Sequence, residues 1–112
     1  MNTKISIILT EDHKLIREGV KIMLNMEPDK FEVIGEAENG VELLQILKTD
    51  QPDVVLMDIN MPKMNGIETT TQVKRLYPNI KILALSMLTE SDHVNAILEA
   101  GANGYLLKNS SP

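Results

Sequence analysis

Five side chains carry the chemistry that this sequence offers: the acid pair Glu11 and Asp12, the carboxylate of Asp58, the hydroxyl of Ser86 and the ammonium of Lys108. Each follows, or closes, a short apolar run. Asp58 ends Val54-Val55-Leu56-Met57-Asp58, and a turn-forming stretch through Pro62, Asn65 and Gly66 comes next. A short run that is wholly apolar reads as a strand buried on both faces. A carboxylate at the end of such a strand is costly unless something compensates its charge. Carboxylates gathered together repel one another, and at least one takes up a proton unless a cation intervenes. Mg²⁺ suits such a set, since it prefers oxygen ligands, keeps several waters and takes one or two carboxylates plus phosphate oxygens. A serine hydroxyl that donates to a phosphate oxygen and a lysine that supplies a point charge complete a phosphoryl site. One carboxylate there can act as nucleophile.

The elements that must position these groups are legible as a rhythm. Apolar runs at Ile5–Leu9, Phe31–Gly35, Val54–Met57, Ile80–Leu85 and Tyr105–Leu107 alternate with amphipathic stretches. Leu15, Ile16, Val20, Met23 and Leu24 share a helical face, as do Leu43, Leu44 and Leu47, and then Val94, Ile97 and Leu98. Pro28, Pro52 and Pro78 each fall just after a helical stretch, where proline is a stop signal. Asn39 with Glu42 and Asn65 with Glu68 fit capping boxes, and Gly101 fits a left-handed C-cap. Strands alternating with helices predict βαβ units and a parallel sheet. Right-handed crossovers leave few topologies. In a doubly wound five-stranded sheet of order 2-1-3-4-5, the first and third strands are neighbours. Glu11, Asp12 and Asp58 then converge on the crevice where strand order reverses.

Composition narrows the function classes. The chain has 112 residues, enough for one domain, with a formal charge of −5 and 43% apolar residues. That acidity argues against nucleic-acid binding by this segment itself. With no cysteine there is no disulfide framework, zinc-thiolate site or catalytic thiol. The apolar run near the N-terminus is too short for a signal peptide or a membrane span. A cytoplasmic location without membrane contact is the expectation.

Taken together, Glu11-Asp12-His13, Asp58 within Leu56-Met57-Asp58-Ile59-Asn60-Met61-Pro62-Lys63-Met64-Asn65-Gly66, Ser86, and Lys108 in Gly104-Tyr105-Leu106-Leu107-Lys108 resemble the receiver domain of two-component response regulators. The wording from Glu11 to Gly19 and from Ala100 to Tyr105 is most similar to receivers that precede a helix-turn-helix DNA-binding domain. The resemblance implies a phosphorylation switch in which a sensor histidine kinase, or a small phosphodonor, delivers a phosphoryl group to Asp58. It implies Mg²⁺ held by Asp12, by Glu11 directly or through water, by Asp58, and by the backbone carbonyl of Asn60. Ser86 and Lys108 would bind the phosphoryl oxygens, and Tyr105 would turn inward as Ser86 moves toward the phosphate, biasing a two-state surface around Glu90–Gly104.

The chain departs from the pattern in three places. Glu11 stands where aspartate is commoner and is one methylene longer. Asn109 follows Lys108 where many receivers have proline, so a cis peptide is not expected there. The family's fifth helix is not in the sequence, so residues 1–112 read as one receiver, truncated at its C-terminus, with an output domain expected beyond it and DNA contacted only through that domain. The uncovered sheet face predicts an exposed apolar patch and a homodimer or swapped dimer.

Blander and rival readings stand beside this one. Glu11 and Asp12 can simply cap the first helix, and His13 and His93 read as surface residues on polar stretches. Asp58-x-Asn60 does not continue as a calcium loop, because Pro62 and Lys63 occupy the positions where a further oxygen ligand and a glycine belong. A Mg²⁺-dependent phosphohydrolase using Asp58 as nucleophile is the alternative, but it wants a second carboxylate two residues on, and Asn60 cannot serve. The expectation is therefore a phosphoacceptor and not an enzyme. Leu88, two residues past Ser86, cannot position an attacking water, which predicts slow self-dephosphorylation.

Overall fold

The computed structural model describes residues 4–59, 65–86 and 91–107. Nine elements alternate along them: β1 (Ile5–Thr10), α1 (Lys14–Asn25), β2 (Phe31–Ala37), α2 (Gly40–Leu47), β3 (Val54–Asp58), α3 (Gly66–Leu76), β4 (Lys81–Ser86), α4 (Ser91–Glu99) and β5 (Gly104–Leu107). All strand pairings are parallel, and the sheet order is β2-β1-β3-β4-β5. Every strand foreseen from an apolar run is present. β2 extends two residues beyond its apolar run, to Ala37.

The period of two along each strand divides the core. Ile8, Val55, Met57 and Ile82 pack with Leu43 and Leu47 of α2 and Val73 of α3. Ile59 and Ala84 pack with Ile97 of α4. Ile7, Leu9, Leu56 and Leu85 point the other way, toward Val20 and Leu24 of α1.

The capping boxes form. The Asn39 and Asn65 side chains accept from Glu42 N and Glu68 N, each at 2.9 Å. The return arm of the first runs from Glu38 N to Glu42 Oε1 at 2.9 Å, one residue upstream of the cap itself. Gly101 has φ 117°, in the left-handed region.

One expectation needs correcting. Leu15 and Met23 do not face inward: they are 88% and 65% exposed, and no residue of α1 is fully buried. At 100° per residue the inward arc of α1 centres on Ile16, Val20 and Leu24. Met23 falls at the margin of that arc, while Leu15 lies on the far side with exposed Ile22; Met26, the C-cap residue, is exposed as well. Tyr105 and Leu106 of β5 are exposed as well.

The amino-terminal edge of the sheet is stitched by polar side chains. Asp53 Oδ2 accepts from Ser6 N at 2.9 Å and Ser6 Oγ at 3.2 Å, and Asp53 N donates back to Ser6 Oγ at 2.9 Å. Lys74 Nζ donates to Ile80 O at 2.9 Å, Pro78 O at 3.1 Å and Asn103 Oδ1 at 3.4 Å. The same Asn103 oxygen accepts from Ile82 N at 3.0 Å.

Candidate functional site

Register alone brings the acids together. Thr10 of β1 lies opposite Met57 of β3. Glu11, directly after β1, and Asp58, the last residue of β3, are therefore level with each other, about 4.8 Å apart in backbone. This is the crevice where the chain crosses from one side of β1 to the other, the position favoured for ligands in an open parallel sheet. On the far side of β3, Asp58 pairs with Leu85, so Ser86 lies one residue further out. Ser86 in turn pairs with Leu107, the residue before Lys108.

Glu11 and Asp58 are almost wholly buried, and Asp12 is partly so. Ligand atoms of Glu11, Asp12, His13 and Asp58 all lie within 4.8 Å of one another. Two carboxylates at that spacing repel by about 3 kcal/mol at an effective dielectric constant of about 20. Glu11 Oε2 accepts from His13 N at 3.0 Å and lies 3.1 Å from His13 Nδ1. Asp12 Oδ1 is buried and takes no hydrogen bond, although His13 Nδ1 stands 3.3 Å away. That oxygen, beside two further carboxylates, is a fit for a hard, oxygen-seeking cation.

The helix-cap reading of the acid pair holds only for Glu11, which takes the amide of His13, the N-cap residue of α1. His13 is partly as read from sequence. Its side chain is 64% exposed, yet its ring joins the acid cluster. The signal was its place directly after the acid pair.

Gly66 explains how α3 starts so close behind Asp58. A Cβ on Gly66 would meet Asp58 O at 2.5 Å and Ile59 Cα at 2.7 Å, both of them backbone-bound atoms. Gly66 N donates to Ile59 O at 2.9 Å. Of the remaining site residues, Tyr105 is 47% exposed on β5. Asn60 and Lys108 lie outside the described residues, as do Leu88, Asn109 and the side chain of Ser86.

No helix among the described residues is long and apolar enough to cross a membrane. The sequence is 48% identical over 105 residues to the transcriptional regulatory protein DegU of Brevibacillus brevis, covering 94% of this chain and 44% of that protein. It is 38% identical over 107 residues to the nitrate/nitrite response regulator protein NarL of Escherichia coli K12, covering 96% of this chain and 49% of that one. The chain thus spans about half the length of these relatives. Among solved structures, the signal receiver domain of the response regulator NarL from Mycobacterium tuberculosis superposes with a TM-score of 0.86 at 37% identity, covering 96% of this chain and 86% of that one. A LuxR-family two-component response regulator from Aurantimonas gives 0.90 at 32% identity, covering 98% and 78%. The response regulator receiver domain family matches residues 7–112, and the chain belongs to that family.

Proposed function

We propose that this chain is a phosphorylation-dependent signalling switch in which Asp58 is the phosphoacceptor. The observation that carries the reading is the juxtaposition of Glu11, Asp12 and Asp58 within 4.8 Å at the crevice between β1 and β3. In the transfer, an Asp58 carboxylate oxygen forms a bond to phosphorus while the N–P bond of a kinase phosphohistidine breaks. The departing imidazole nitrogen takes up a proton. Glu11, Asp12, Asp58 and the Asn60 carbonyl would hold Mg²⁺, which would offset the carboxylate charge and the charge on the phosphoryl oxygens. Ser86 and Lys108 would hold the remaining oxygens.

The new charge and acceptor oxygens would then bias the surface around α4 and β5. Tyr105, 47% exposed on β5, would turn inward on phosphorylation. The names of the relatives support a transcriptional output. That output would be reached through a DNA-binding domain beyond residues 1–112, with a sensor histidine kinase as partner and a cytoplasmic setting. Leu15, Ile22 and Met23 on α1, Met26 at its C-cap and Leu106 on β5 offer apolar area for a homodimer. Slow self-dephosphorylation follows from Leu88.

The phosphohydrolase alternative is separated by stoichiometry. Incubation with phosphoramidate and Mg²⁺ should label the chain once and then stop, with a bound phosphoryl lasting well beyond seconds at neutral pH. Sustained multiple turnover of a phosphoester would replace this reading with the enzyme.

A further inference from the structure

Arg17 lies one helical turn beyond His13, on the side of α1 that faces β2. Its side chain is only 11% exposed. Nη1 donates to the carbonyl oxygen of Glu11 at 2.8 Å, and Nε donates to Glu36 Oε1 on β2 at 3.0 Å. Nη2 lies 3.8 Å from Glu38 Oε1. The Glu11 amide, for its part, donates to Ala37 O at 3.0 Å. Both backbone polar groups of Glu11 are therefore pinned: one by the sheet, the other by a guanidinium that is itself anchored to the next strand.

From this geometry we infer that Arg17 is a positioning residue for the acid pocket. It fixes the Glu11–Asp12 peptide so that two carboxylates of the cluster are held ready for a cation. The inference rests on the metal site proposed above and adds what sets its affinity. A planar fork spans the Glu11 carbonyl and the Glu36 carboxylate at once. A lysine ammonium, a single point on a flexible stem, cannot hold both in fixed geometry. Groups that orient metal ligands from behind typically change metal affinity by about 10- to 100-fold when removed.

Charge alone predicts something different. Taking a cation away from beside the pocket would tighten Mg²⁺ binding, and lysine would behave as arginine does. Lys21 makes the comparison practicable. It holds Glu36 Oε2 at 3.0 Å independently of Arg17, and hydrogen bonds to Glu36 and then Glu18 raise its pKa above the ordinary lysine value. Glu36 thus keeps a cationic partner when Arg17 is replaced.

The test titrates Mg²⁺ into this chain and into its Arg17→Lys and Arg17→Met variants. Amide hydrogen exchange at residues 11–13 is followed in the metal-free proteins, with the α3 amides as an internal reference. The expected result is Mg²⁺ binding weakened by about tenfold or more in both variants. Exchange at residues 11–13 should be faster and that of α3 unchanged. Unchanged binding in both variants, or tighter binding in Arg17→Met with Arg17→Lys like the parent, overturns the positioning role. If the parent chain binds no Mg²⁺, the metal reading of the pocket falls. The exchange readout then still decides Arg17, and unchanged exchange at residues 11–13 sinks it.

Discussion

The two edges of the sheet use the same residue types in opposite ways. At the amino-terminal edge, Asp53 is exposed and spends its carboxylate on Ser6, while the Lys74 ammonium is shared among Pro78, Ile80 and Asn103. At the carboxyl-terminal edge, Glu11 and Asp58 are buried beside Asp12, with their oxygens turned toward one another. The first edge matches each single charge with neutral hydroxyl, amide and carbonyl groups, and this stabilises the fold. The second gathers like charges, which costs stability and is tolerable where a cation and a phosphoryl group are to be handled. A site can thus be separated from a structural cluster by asking whether each charge is matched by neutral partners or set beside another of its own sign.

Substitutions along the two edges should therefore differ in sign as well as size. The largest stability effect is expected at Gly66, where a methyl would drive into the Asp58 and Ile59 backbone. Gly66→Ala should cost about 3 kcal/mol in urea unfolding, and a neutral outcome would mean that the start of α3 can yield away from the Asp58 and Ile59 backbone. Lys74→Met should lose about 2 kcal/mol, because its carbonyl acceptors are left without their charged donor. Asp53→Ala, at an exposed position, should lose about 1 kcal/mol.

Asp12→Asn should go the other way. In EDTA it should gain up to about 1 kcal/mol by relieving repulsion, seen as a rise in Tm. With saturating Mg²⁺ that advantage should vanish or reverse, because the variant has lost a metal ligand and with it the stabilisation that binding supplies. A stability loss for Asp12→Asn in EDTA would erase the contrast between the edges.

Much of the carboxyl-terminal edge is legible in the amino-acid sequence. Five apolar runs mark the five strands, and Pro28, Pro52 and Pro78 stand ahead of β2, β3 and β4 as stop signals for the preceding helices. The 2-1-3-4-5 order then makes Glu11 and Asp58 neighbours. Two features are not legible in this way. Helical spacing identifies the apolar residues of α1 but not which of them meet the sheet, and Leu15 and Met23 are exposed. Arg17 looks like a solvated polar residue near a helix start, and its simultaneous reach to the Glu11 carbonyl and to Glu36 depends on how α1 leans over β1 and β2, which no local pattern encodes. Ser86 and Lys108 follow from register as positions one step beyond Leu85 and Leu107, and their side-chain roles are proposals.

That the carboxyl-terminal edge exists to carry a phosphoryl group on Asp58 is tested most directly by mass. Intact chain is weighed after incubation with phosphoramidate and Mg²⁺, beside its Asp58→Asn variant. One phosphoryl group per chain is expected in the parent, none in EDTA and none in Asp58→Asn. An unlabelled parent, or equal labelling of Asp58→Asn, would contradict the assignment.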